Sequence, residues 1–96
     1  MKIRVKGFLN LRKVMGDQAA AEFEVDAMTL LEFLHQLANT YGRQFAEMVF
    51  DDEAGMLNRH IRFLVNGRHF SHLPQKLNTP LCDGDNVDLF PPVAGG

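Results

Sequence analysis

Cysteine occurs once in these 96 residues, as Cys82, which excludes an internal disulfide and a zinc site built from several thiolates. Charge of one sign is not in excess either. Ten Lys and Arg stand against twelve Asp and Glu, a net charge of -2, which gives no electrostatic case for nucleic acid or an anionic membrane as a partner. Apolar runs are only a few residues long, too short to span a bilayer, and Lys2, Arg4 and Lys6 interrupt any signal-peptide core. The expected location is therefore the cytoplasm. Neither a Gly-x-x-x-x-Gly-Lys-Ser/Thr phosphate loop nor a dinucleotide-binding glycine pattern is present, so nothing in the sequence is equipped to hold a nucleotide alone. No internal repeat and no low-complexity segment interrupts the chain.

What is present suits one ordinary globular domain over residues 1–96: 46% hydrophobic and 23% charged residues, enough for a single core. Ile3, Val5 and Leu9 alternate with Lys2, Arg4, Lys6 and Phe8, the period of a strand with one face on a core. Ala21 to Asp26 repeats the period, with Phe23 and Val25 inward and Glu22, Glu24 and Asp26 outward. Antiparallel pairing would set basic side chains opposite acidic ones, worth about 0.2–1 kcal/mol per pair. Thr29 and Glu32 form a capping box, with Met28 and Phe33 at staple positions, and predict a helix start. Leu30, Leu34, Leu37, Ala38 and Tyr41 line one face of that helix, and Gly42 suits a left-handed stop. The acidic stretch from Arg43 to Asn58, centred on Asp51-Asp52-Glu53-Ala54-Gly55, reads as an exposed loop after a short helical turn. Ile61, Phe63 and Val65 point inward in a strand that Asn66-Gly67, a type I′ turn signal, reverses into Arg68 to Phe70. After a connection punctuated by Pro74 and Pro80, Asp83-Gly84-Asp85 turns into a last strand with Val87 and Leu89 inward. The order ββαβββ implies an α+β, ubiquitin-like fold: a mixed sheet with one main helix on one face, its last strand parallel to the first in the centre.

The final residues, Leu89-Phe90-Pro91-Pro92-Val93-Ala94-Gly95-Gly96, turn that last strand into a stiff tail. Pro91 and Pro92 cannot donate to a ladder and hold φ near polyproline II values, so the strand ends and the chain leaves extended. Residues 91–96 reach roughly 20 Å at about 3.3 Å each, enough to place a terminal carboxylate in a partner's active site. Gly95 and Gly96 pass through channels closed to a Cβ. A carboxylate is ionised at neutral pH and repels nucleophiles, so it needs activation elsewhere. Phe8, Leu64 and Phe90 fall in the outward phase of neighbouring strands and predict an apolar partner-binding patch beside the tail, with Phe70 as a further member.

Phe8-Leu9-Asn10-Leu11-Arg12-Lys13-Val14-Met15-Gly16, Asn66-Gly67, Asp83-Gly84-Asp85 and the Phe90-Pro91-Pro92 step before Gly95-Gly96 together resemble the MoaD/ThiS family of β-grasp sulfur carriers. The resemblance covers essentially the whole chain and is strongest to the small subunit of molybdopterin synthase. The longer stretch Phe50 to Ile61 resembles the archaeal small-modifier branch, whose members can be attached to protein lysines. The resemblance implies that an adenylating activating enzyme binds the tail (Pro91, Pro92, Val93, Ala94, Gly95) and transfers AMP from ATP to the Gly96 carboxylate. A sulfur donor then displaces AMP, and the thiocarboxylate serves the large subunit of molybdopterin synthase, where the catalytic residues lie. ATP and Mg belong to the activating enzyme, and this chain is expected to bind no cofactor. Conjugation to lysine, sulfur delivery to another pathway such as thiamine, and a plain interaction domain are the competing readings.

Other candidates carry less. His35, His60, His69 and His72 with Cys82 fit no compact zinc spacing, and solvated loop histidines account for them. Asp51, Asp52 and Glu53 lack the alternation of a calcium loop. Cys82 has no histidine placed in sequence to activate it and reads as a small packing residue.

Overall fold

Alternation of apolar and charged residues puts Lys2–Gly7 into strand β1 with Ile3, Val5 and Gly7 buried and Lys2, Arg4 and Lys6 exposed. In a computed structural model of the protein, residues 1–17, 20–51, 56–58 and 60–91 are described. The elements after β1 are α1 (Asn10–Val14), β2 (Ala21–Glu24), α2 (Leu30–Tyr41), α3 (Arg43–Val49), β3 (Phe50–Asp51), β4 (Met56–Leu57), β5 (Arg62–Val65), β6 (Arg68–His69) and β7 (Asn86–Phe90). Two short 3₁₀ turns, Phe70–His72 and Lys76–Asn78, separate β6 from β7.

Five strands form one mixed sheet in the order β2-β1-β7-β5-β6. β7 runs parallel to β1 at its centre and antiparallel to β5. The β1–β2 register sets Lys2 opposite Glu24 and Arg4 opposite Glu22, as their charges require. α2 begins where its cap dictates: the Thr29 hydroxyl accepts from the Glu32 N–H at 3.2 Å, and the Glu32 carboxylate accepts from the Thr29 N–H at 2.9 Å. Its apolar stripe, Leu30, Phe33, Leu34 and Leu37, is buried against the inner face of the sheet together with Ile3, Val5, Phe63, Val87 and Leu89.

Four expectations change. Leu9 is not inward: β1 ends at Gly7, which takes the buried position because α1 packs directly over it. An ideal Cβ on Gly7 would lie 2.5 Å from the Met15 sulfur and 3.3 Å from the Leu11 and Arg12 backbone. Residues 43–58 are not a plain loop. Phe45 and Val49 recur four residues apart and are fully buried, so the core pulls 43–49 into helix, and β3 and β4 follow as a small antiparallel pair. Gly42 supplies the positive φ expected of it, 95°, but with ψ -166° it turns the chain straight into α3 instead of ending in the left-handed helical region. Finally, β6 stops at His69, because the His69 ring nitrogen Nδ1 accepts from the Ser71 N–H at 3.1 Å and opens a 3₁₀ turn at Phe70.

Asn66 (φ 53°) and Gly67 (φ 83°) make the expected type I′ reversal. The Asn66 side chain also donates to Asp85 at 2.9 Å and accepts from the Asn86 N–H at 2.9 Å, while Asp83 accepts from the Lys2 N–H at 2.6 Å. These bonds tie the start of β7 to both neighbours and so fix the register at its other end, where Phe90 emerges.

Candidate site: the sheet end where the tail begins

The parallel ladder runs one residue past the end of β1: the Phe8 N–H donates to the Leu89 carbonyl at 3.1 Å. That bond brings Phe8 alongside Phe90, and their rings stack with centroids 4.3 Å apart and planes 9° from parallel. Both rings are half-buried, each covering the other, on the face of the sheet opposite α2. Pro91 follows at once and is buried. Pro92, Val93, Ala94, Gly95 and Gly96 lie outside the described residues.

Leu64 shares the outer face but is offset. Its partner across β7 is Asp88, and the residue opposite Phe90 is Arg62, so Leu64 meets the stack only on the diagonal. Phe70 leaves the patch altogether. It opens the 3₁₀ turn and packs edge-on to the core ring of Phe63, centroids 6.1 Å apart, on the inner side of the sheet.

A residue that periodicity misplaces lies exposed directly after Phe8. Leu9 is 67% exposed and holds φ 55°, ψ -124° at the first central position of a tight turn that the Leu11 N–H closes onto the Phe8 carbonyl at 3.1 Å. That conformation resembles the type II′ position that glycine prefers, and in a residue with a Cβ it costs on the order of 1–3 kcal/mol. The only sequence signal for Leu9 was its place directly after Phe8, which a strand period converts into the wrong face.

The remaining candidates have local structural explanations. His69 caps its turn and stacks on Phe70 at 4.7 Å, and His35 stacks on Phe50 at 4.5 Å. Cys82 is exposed and not the packing residue expected of it; its N–H donates to Asp85 at 2.8 Å. Among the described residues no three His, Cys, Asp or Glu side chains gather to hold a metal ion, and no helix is long and apolar enough to cross a membrane. Asp52 and Glu53 lie outside the described residues.

Residues 5–96 match the sequence profile of the ThiS family. The chain is 33% identical to small archaeal modifier protein 3 of Haloferax volcanii over 100% of both chains. Among solved structures it resembles a Pyrococcus furiosus protein assigned as molybdopterin converting factor subunit 1, at 28% identity and TM-score 0.72 over 97% of this chain and 99% of that one. It also resembles a chain of the BexX/CysO complex of Amycolatopsis orientalis, at 26% identity and TM-score 0.74 over 98% and 99% of the two chains. With five strands in the order β2-β1-β7-β5-β6 and a helix across one face, the chain is a ubiquitin-like β-grasp protein and belongs to the ThiS family of sulfur carriers and small protein modifiers.

Proposed function

We propose that the protein is a sulfur carrier for molybdopterin synthesis whose reactive group is the Gly96 carboxylate. The observation that carries this reading is the position of the tail's root: Pro91 leaves the central strand of the sheet beside the half-exposed Phe8–Phe90 stack and the exposed Leu9. A partner that seats the stack holds the tail's base, and the six residues from Pro91 then reach about 20 Å into its active site.

Each part of the chain has a task in that cycle. Pro91 and Pro92 keep the base of the tail stiff, which limits the entropy lost when the partner captures it. Gly95 and Gly96 present the carboxylate through a channel too narrow for side chains. The adenylating enzyme supplies ATP and Mg. Attack of the carboxylate on the α-phosphorus releases pyrophosphate and gives an acyl adenylate, neutral at the carbonyl and with AMP as leaving group. A sulfur donor displaces AMP, and the large subunit of molybdopterin synthase uses the thiocarboxylate to build the dithiolene.

The relative named as a modifier favours a second reading, in which the same activated Gly96 is transferred to lysine amines. Reconstitution separates the two. Incubated with an adenylating enzyme, a sulfur donor, the large synthase subunit and a cyclic pyranopterin precursor, a carrier yields the dithiolene product. A modifier leaves diglycine-branched lysines on other proteins in cells. Branched peptides without dithiolene formation would replace the first reading with the second.

A further inference from the structure

Charge on the outer face of the sheet is arranged unevenly along the strands. At the end far from the tail, each cation of β1 has an acid across β2: Lys2 opposite Glu24 and Arg4 opposite Glu22. At the tail end two outward cations share a single acid across their neighbouring strands. The β1–β2 ladder closes at Val5 and Ala21, so Lys6 has no acidic partner across β2. Its neighbour across β7 is Asp88, the sole acid among the outward residues of β7 and β5. Arg62 stands opposite Phe90 on the other flank of the stack, beyond the point where β6 has ended. Both cations are exposed, and among the described residues neither closes an ion pair.

A second observation points the same way. Next to Arg62 the early end of β6 leaves a half-open pocket of about 280 Å³. His60, Arg62 and His69 supply its polar side chains beside Asn58, the apolar remainder includes Phe63 and Phe70, and among the described residues none that lines it is acidic. Its volume suits a side chain rather than a cofactor.

We propose that the partner surface receiving the tail is acidic at its rim: an apolar seat for the Phe8–Phe90 stack and Leu9, flanked by carboxylates that meet Lys6 and Arg62, one of them entering the His60–Arg62–His69 pocket. The proposal rests on the carrier reading and identifies the chemistry of its enzyme partner. Cations at the rim of an interface act mainly on encounter, and field effects of this kind raise association rates roughly 10- to 1000-fold at low salt. A net charge of -2 would otherwise repel an acidic partner, so the local placement decides the sign.

The test is stopped-flow association with the adenylating enzyme from the same genome, between about 0.01 and 0.5 M ionic strength, where the screening length falls from about 30 Å to a few ångström. The wild type should slow steeply as salt rises. Lys6→Glu combined with Arg62→Glu should associate at least 10-fold more slowly at low salt and lose most of the salt dependence, whereas Arg62→Lys should keep it. Arg43→Glu, at an exposed α3 cation paired to Glu47 at 2.9 Å, is the control and should leave the salt slope as it is. Melting of each variant within a few degrees of wild type keeps the comparison about binding. A flat wild-type salt profile, absence of binding, or a double reversal that associates like wild type overturns the proposal. Steep salt dependence in a protein that never acquires a thiocarboxylate would leave the acidic partner standing and remove the carrier reading alone.

Discussion

Truncating Phe8 or Phe90 should cost the fold something between a surface change and a core change, and the two costs should not add. Each ring is half-buried and owes much of that burial to the other, stacked at 4.3 Å and 9°. Half of the roughly 1.5–3 kcal/mol for burying a Phe side chain, plus about 0.5–1.5 kcal/mol for the aromatic pair, gives about 1.3–3 kcal/mol for either single substitution to Ala. The pair contribution is lost only once, so the double variant should be less destabilised than the sum of the singles by about 0.5–1.5 kcal/mol. Phe63, fully buried, sets the core reference at about 3–5 kcal/mol for Phe63→Ala. Urea denaturation of wild type, Phe8→Ala, Phe90→Ala, the double variant and Phe63→Ala reads all five values. Strict additivity, or a Phe8→Ala cost equal to that of Phe63→Ala, would refute a mutually shielding surface stack. Affinity for the adenylating enzyme should fall about thirtyfold in either single variant, the loss typical of a desolvated aromatic anchor.

Leu9→Gly should relieve the φ 55° strain and leave the domain as stable or up to about 1 kcal/mol more stable, while partner affinity drops; clear destabilisation in the melt would show that Leu9 packs after all. Gly7→Ala should destabilise by about 1–3 kcal/mol, because the Met15 sulfur can shift but the α1 backbone at 3.3 Å cannot do so cheaply, and an unchanged midpoint would contradict that packing. Burial pushes the Tyr41 phenol above its ordinary 10.0. The folded state therefore holds this proton more tightly than the unfolded one, so its contribution is present below pH 10 and lost as pH rises through the folded value; Tyr41→Phe should flatten stability above pH 10 relative to wild type. Deleting Gly95 and Gly96 removes nothing from the described core, so the midpoint should stay within about 0.5 kcal/mol while activation disappears.

Where local chemistry and the core agree, the sequence is readable. The Thr29–Glu32 box, the Asn66-Gly67 reversal, the inward sets Ile3/Val5, Phe63/Val65 and Val87/Leu89, and the parallel pairing of β7 with β1 follow from spacing and turn residues, and the structure has each of them. Tertiary demands hide the rest. Gly7 ends β1 early because α1 lies on it, which reverses the sense of Leu9. Phe45 and Val49 are too few to announce a helix beside so many acidic and small residues, yet the core buries both. Phe70 leaves its strand because His69 finds a partner in the Ser71 N–H, a bond the strand pattern gives no hint of. At the candidate site, Phe8 and Phe90 were legible as outward neighbours. Their stacking, the offset of Leu64 and the placement of Lys6 and Arg62 on either flank depend on a register that only the assembled sheet defines.

The carrier account stands or falls on the chemical state of Gly96. Intact-mass and fragmentation analysis of the protein co-expressed with an adenylating enzyme and a sulfur donor should find a population heavier by the replacement of one oxygen with sulfur, with the change confined to the C-terminal glycine. A protein that stays entirely a carboxylate in the presence of an enzyme that binds it and turns over ATP would contradict the account.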